Sequence, residues 1–303
     1  MYDETLPTVE QLVVDELVCW RVHTRHAELL MTQQGAQVLS YQPHGEEPVI
    51  WLSGQAGYQK GTAVRGGVPV CWPWFGDLRR NPAEIQGMHQ GGPICPAHGL
   101  VREREWQLLG IDSEGPAVRL DFALDTRSEP LSGWPHAAEL KLSILLDERL
   151  QMTLSTRNLG ESPLALSQAL HSYFAVSDIR EVEVEGLGGC RYIETLEDWQ
   201  QRKQQGNIRF NGETDRIYLD TPRRMSILDR TWKRRIELDV SGSSSAVVWN
   251  PWIDKSRRLS QFDGDAWQGM LCIETARVMD DFLVLKPGDE QRMTVSIASR
   301  PLQ

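Results

Sequence analysis

Apolar and polar side chains alternate with a period of two along much of this chain, the signature of strands with one buried and one wet face. Val118, Leu120, Phe122 and Leu124 alternate with Arg119, Asp121, Ala123 and Asp125. Leu140, Leu142, Ile144 and Leu146 run into the polar turn Asp147-Glu148-Arg149, and Leu150, Met152, Leu154 and Thr156 follow, which predicts a hairpin. Ile236, Leu238 and Val240 alternate between charges. Phe282 to Leu285 precedes the turn Lys286-Pro287-Gly288-Asp289, after which Met293, Val295 and Ile297 alternate again. Amphipathic helices are scarce, and the best candidate is the short stretch Glu197 to Gln205. Strands joined by turns without crossover helices imply antiparallel sheets. The expected fold is therefore all-β: one large antiparallel β-sandwich domain spanning residues 1–303. The Gly/Pro-rich stretch Asp77 to Ala97 reads as a long loop, and long loops in compact domains often serve function.

The chain has 303 residues with 40% hydrophobic and 24% charged side chains, which suits a soluble globular protein with a large core. A net charge of −10 argues against a nucleic-acid partner, because the average surface repels a phosphate backbone. A small anion can still bind where a few arginines converge. Five widely spaced cysteines suit a reduced compartment. Met1 to Val22 is acidic and lacks the basic start and apolar core of a signal peptide. No stretch approaches the ~20 apolar residues of a membrane helix. A cytoplasmic monomer without a membrane partner is the expectation. Eleven tryptophans serve core packing in the plainest reading, although aromatic faces also line sugar sites.

Two segments place a proton-transfer group among apolar neighbours: Ala169-Leu170-His171-Ser172-Tyr173-Phe174, and Cys272-Ile273-Glu274-Thr275-Ala276. Alone, His171 reads as a buried histidine with satisfied nitrogens. Glu274 is harder to dismiss, since burying an unpaired carboxylate is costly and raises its pKa toward the range of a working base. Val64-Arg65-Gly66-Gly67-Val68-Pro69 is a stiff segment in which Arg65 is either a surface salt bridge or a clamp for an oxyanion. His98 ends the long loop in Ala97-His98-Gly99. Cys95 and His98, with Cys71 or His89, offer zinc-ligand types, but no paired C-x-x-C or H-x-x-x-H supports a metal, so none is expected. Asp263 and Asp265 read as a solvated turn. Trp249-Asn250-Pro251-Trp252 reads as a strand ending in an aromatic turn; the charges that follow it, Lys255 among them, form either a sugar-phosphate rim or a solvated loop.

In this order, Arg65-Gly66-Gly67, His98-Gly99, Ala169-Leu170-His171, Thr214-Asp215-Arg216-Ile217-Tyr218 and Glu274 resemble the aldose 1-epimerase (mutarotase) superfamily. The likeness runs over about residues 25–298 and is nearest to the hexose-6-phosphate branch, the glucose-6-phosphate 1-epimerases. The resemblance implies a galactose-mutarotase-like β-sandwich with an open cleft. It implies His171 as general acid, Glu274 as general base, and His98 as a substrate-binding partner near the ring oxygen. It further implies Asp215 as a contact for a sugar hydroxyl, and Arg65 and Arg102 as holders of the 6-phosphate. The expected activity is exchange of the α and β anomers of a hexose 6-phosphate by acid–base ring opening, without metal or cofactor. Two departures are Trp74 in Pro73-Trp74-Phe75-Gly76, where the family often has glutamine, and Leu100 after His98-Gly99, where phenylalanine is common. Competing readings are a non-catalytic sugar-phosphate binder, a mutarotase for unphosphorylated aldoses, and a glycosidase or lyase. Glycosidases usually need two carboxylates, and no second one stands out as Glu274 does.

Overall fold

The computed structural model describes residues 6–91, 95–113 and 115–302. The strands predicted from alternation assemble into one nine-stranded antiparallel sheet. Its order is Ile208–Arg209, Val182–Glu185, Arg224–Asp229, Arg234–Ser241, Glu290–Pro301, Leu150–Asn158, Ala138–Leu146, Val118–Asp125 and Gln107–Asp112. The register aligns the apolar rows: Leu120 pairs with Ile144, Phe122 with Leu142, and Leu142 in turn with Leu154. These side chains are buried, while Arg119, Lys141 and Arg157 on the alternate positions are exposed. Each large aliphatic side chain taken from water in this way contributes about 1.5–3 kcal/mol.

Facing it is an eight-stranded sheet. Its path runs Gln200–Lys203, Arg191–Glu194, Thr214–Leu219, Ser245–Asn250, Met270–Arg277, Gln168–Leu170 and Val70–Cys71, and Tyr173–Ala175 pairs the other half of Met270–Arg277. Apolar residues of both sheets, Leu120, Leu154 and Val295 with Val248, Leu271 and Ile273 among them, belong to one hydrophobic cluster. The central strands of this sheet are buried on both faces, so polar residues on them face a protein-lined space instead of bulk water. A four-stranded meander over Thr8–Pro43 packs alongside. It grips the glycine-rich segment through the Val38–Val68 bridge and through buried Gln37, whose amide donates to the carbonyls of Val64 and Gly66, and the Leu52–Gly66 bridge just beyond the meander adds to the hold.

Two sequence expectations change. Glu197 to Gln205 is not a helix: Gln200–Lys203 is an edge strand paired with Arg191–Glu194 across a turn. All four of its side chains are exposed, so neither face carried an apolar pattern to read. The stretch from Asp77 to Ala97 is less irregular than expected, with a 3₁₀ turn at Leu78–Arg80 and a single helical turn at Ala83–Gln86. Residues 92–94 of that stretch, and the first five residues of the N-terminal segment, lie outside the described residues. No helix among the described residues is long and apolar enough to cross a membrane.

Candidate active site

The register of the eight-stranded sheet sets the floor of a cleft of about 460 Å³. Ile217 pairs with Val247, and Val247 with Glu274; in the next row Asp215 pairs with Trp249, and Trp249 with Cys272. Directly paired residues share a face. Asp215 and Glu274 therefore project to the same side, and both line the cleft. His171 enters from the short break between Gln168–Leu170 and Tyr173–Ala175, two strands that pair with opposite halves of Met270–Arg277. Its amide donates to the Pro69 carbonyl at 2.9 Å and that of Tyr173 to the Gly67 carbonyl at 3.0 Å, which fastens the break to the glycine-rich segment. A side chain at Gly67 would meet the Val38 carbonyl oxygen at 2.2 Å, so this close approach excludes any other residue.

His171 Nε2 lies 3.4 Å from Glu274 Oε1, and the two residues are 8% and 1% exposed. The imidazole stacks on the Tyr173 ring with centroids 4.8 Å apart. His171 Nδ1 and Glu274 Oε2 are buried without a hydrogen-bond partner among the described residues. Burial drives the two groups in opposite directions. It pushes the Glu274 carboxyl well above the usual carboxylate range, helped by the nearby charge of Asp215. It pulls His171 well below the usual imidazole value, helped by His98 and Arg102. Between those two limits the pair holds one proton, which either partner can carry.

His98 stands at the cleft wall, its ring centroid 5.2 Å from that of His171. It adopts φ 65°, and Gly99 follows at φ 80°, where a side chain would meet the Trp72 carbonyl oxygen at 2.0 Å. His98 Nδ1 accepts from the Gly76 amide at 3.4 Å, which leaves the proton on Nε2 as a donor. Burial first, then the charges of Arg102 and Arg65, hold its pKa down to about 3, so the ring is neutral at physiological pH. Cys71 Sγ touches His98 Nδ1, whereas Cys95 touches His89; these are two separate contacts, and no three such groups converge among the described residues.

Arg65 donates to Ser260, and Arg102 to the Ala97 carbonyl at 2.6 Å; neither guanidinium makes a carboxylate ion pair among the described residues. Both line the cleft. Asp215 is held by Lys255 at 3.6 Å, and Lys255 also reaches Glu213 at 3.2 Å and lies over the Trp249 ring. Burial raises the Asp215 pKa, and Lys255 opposes that shift. The structure thus gathers all six residues singled out in the sequence, His171, Glu274, His98, Arg65, Arg102 and Asp215, around one space.

The sequence reading missed Tyr173, Arg80 and Trp199, and left Lys255 undecided; all four line the same cleft. Tyr173 had a legible signal, being two residues from His171 in a strand-like run. Arg80 and Trp199 had none, because only the tertiary fold brings their segments together.

A cleft with these groups, on a large antiparallel sandwich, can move a proton on and off a bound polyhydroxy molecule, as a sugar isomerase requires. Comparison narrows the class: the chain belongs to the aldose 1-epimerase family, whose model matches residues 19–298. It is 33% identical over 289 residues to an Escherichia coli K12 protein named as a proposed glucose-6-phosphate 1-epimerase, covering 93% of this chain and 92% of that one. A plant protein of Cenchrus ciliaris with the same name is 33% identical over 280 residues, covering 88% of this chain and 80% of its own. Among solved structures, the YeaD protein of Salmonella typhimurium superposes with a TM-score of 0.85 at 30% identity, covering 97% of this chain and 94% of that one. A galactose mutarotase-like protein of Clostridium acetobutylicum shares the fold, with a TM-score of 0.72 at 15% identity over 97% of this chain and 99% of its own.

Proposed function

We propose that this isomerase interconverts the α and β anomers of a hexose 6-phosphate, with glucose 6-phosphate as the expected substrate. One observation carries the reading: the His171–Glu274 pair, 3.4 Å apart, opens onto the same cleft as two guanidiniums, Arg65 and Arg102, that have no carboxylate partner among the described residues. The names of the E. coli and Cenchrus relatives point the same way.

In the empty cleft, burial favours the neutral pair, with the proton on the carboxyl. Burial is the main cause that holds His171 down, and the positive field of Arg102 and Arg65 adds to it; a bound phosphate offsets that field, and sugar hydroxyls donate to the carboxylate. The proton then passes to His171, leaving imidazolium and carboxylate. Glu274 takes the proton of the anomeric hydroxyl while His171 protonates the ring oxygen, and the C1–O5 bond breaks. Rotation about C1–C2 turns the other face of the aldehyde toward O5, and the steps reverse with the roles exchanged. His98 donates from Nε2 to the oxygen beside it, and Asp215, fixed by Lys255, accepts from a sugar hydroxyl. Positioned acid–base groups of this kind contribute about 10²–10⁴-fold each.

The test is anomer exchange of glucose 6-phosphate, followed by NMR at neutral pH, with glucose and galactose in parallel. Acceleration of the phosphate, and little of the free sugars, is expected. Equal acceleration of free sugars would remove the clamp role of Arg65 and Arg102, and no acceleration of any hexose phosphate would end the reading.

A further inference from the structure

Two side chains at the cleft have no part in the acid–base pair or in the arginine clamp. Arg80 ends the 3₁₀ turn Leu78–Arg80, and Trp199 sits in the turn of the hairpin Arg191–Glu194/Gln200–Lys203. Both line the cleft, and the Arg80 guanidinium lies 5.2 Å from the centre of the Trp199 ring. Their segments are far apart in sequence, so this cation–π contact joins two walls of the opening.

Trp199 is placed against its local preference, and Arg80 stands without the carboxylate that holds its neighbour. Arg79 turns to Asp77 in a bidentate ion pair, as a surface arginine in an acidic protein readily does. Arg80 beside it is exposed and makes no ion pair among the described residues. The turn closes with the Gln200 amide donating to the Glu197 carbonyl, and its two central residues, Asp198 and Trp199, have φ 50° and φ 60°. Such a turn favours Asn-Gly, and a bulky aromatic in left-handed backbone is strained. Trp199 is nevertheless only half-buried and presents its ring to the cleft. Strain held at a cleft-lining aromatic, next to an unpaired cation, is an arrangement that local folding does not call for.

We propose that Trp199 and Arg80 form a specificity rim for a phosphorylated pyranose. The indole packs against the C–H face of the sugar ring, and Arg80 adds a third guanidinium to the field that attracts the phosphate. This rests on the hexose-phosphate reading above and extends it from the reacting end of the sugar to the mouth of the cleft. The rim acts on affinity, and the acid–base step belongs to other residues.

The experiment uses 1,5-anhydroglucitol 6-phosphate, which has no anomeric hydroxyl and cannot react. Its binding, and that of unphosphorylated 1,5-anhydroglucitol, is measured by titration calorimetry for the wild type and for Trp199→Gly, Trp199→Phe and Arg80→Gln. Glucose 6-phosphate kinetics accompany it. Trp199→Gly is expected to weaken the phosphorylated ligand about tenfold, with Trp199→Phe recovering most of the loss because a smaller ring can still stack. In turnover the loss should fall on KM rather than on kcat. The melting temperature of Trp199→Gly should hold, since glycine adopts φ 60° without strain. Arg80→Gln should weaken the phosphorylated ligand about fivefold, with a smaller salt dependence, and weaken the unphosphorylated one far less. Unchanged affinity in Trp199→Gly and Arg80→Gln would overturn the proposal, and so would a lower melting temperature with unchanged affinity. Wild-type protein that fails to bind the analogue would overturn it as well. Analogue binding that depends on the rim, without turnover of glucose 6-phosphate, would keep the rim and remove the catalytic reading.

Discussion

The outward face of the nine-stranded sheet and the cleft face of the eight-stranded sheet are made of the same element, yet they treat polar side chains in opposite ways. Outside, Lys141 pairs with Glu139 at 3.0 Å and Thr153 with Thr294 at 2.9 Å, all with access to water. Exposed pairs of this kind contribute about 0–1 kcal/mol. In the cleft, His171 and Glu274 form a pair of similar length, but water is largely excluded and each group is driven away from its usual proton affinity. Alternation alone decides only which side chains face away from the core. Whether that space is solvent or a walled cleft decides if a polar residue is inert or chemically poised.

The sharpest way to break this comparison is Glu274→Gln. The amide fills the same space without a proton to exchange, so anomer exchange should fall about 10²–10⁴-fold while the fold persists. A variant that kept most of its rate by NMR would remove Glu274 as the base. Next, Arg102→Met should raise KM for glucose 6-phosphate about 10–100-fold, the worth of a charge-assisted hydrogen bond, and change the slow reaction of free glucose far less. Steady-state kinetics on both sugars would check it. Gly99→Ala forces a side chain against the Trp72 carbonyl and displaces His98. A loss of several degrees in melting temperature is expected, along with impaired turnover.

Proton linkage sharpens the contrast further. The His98 pKa is about 3 in the folded protein against 6.5 unfolded, so the unfolded chain binds more protons between those values. Its contribution to stability is complete above pH 6.5 and lost as pH falls toward 3. Glu274 has the opposite sign: folding raises it above 4.5, so its ionisation costs stability as pH rises past that point. The melting temperature of His98→Asn should therefore gain on the wild type as pH falls below 6.5. That of Glu274→Gln should gain as pH rises above 4.5. Parallel melting curves at all pH values would contradict both assignments. The smallest effect belongs to the outer face, where Thr153→Val should shift stability by about 0.5 kcal/mol or less and leave the kinetics untouched.

The same contrast explains what the sequence made legible. The strands over 118–125, 138–146, 150–158 and 290–301 announced themselves because one face is dry and the other wet. His171 and Glu274 were visible because each interrupts an apolar run that a buried strand would keep unbroken. Trp199 and the strand Gln200–Lys203 were misread together: an edge hairpin wet on both faces has no period, and its charged residues mimic a helix surface. Gln37 gave no warning either. A buried glutamine that clamps a loop looks, in one dimension, like part of the polar turn preceding it.

The cleft floor has a further consequence for assembly. Glu274 and His171 lie about a hundred residues apart, and they meet only when Met270–Arg277 is in register with Gln168–Leu170 on one side and Ser245–Asn250 on the other. A slip of one residue would turn Glu274 into the sandwich interior and present Ile273 or Thr275 instead. Turnover therefore reports on sheet alignment, which circular dichroism cannot see. Such long-range pairings form late in folding. On dilution from denaturant, recovered catalysis should lag behind recovered strand signal, and the interval between them would time the moment at which the last strands find their register.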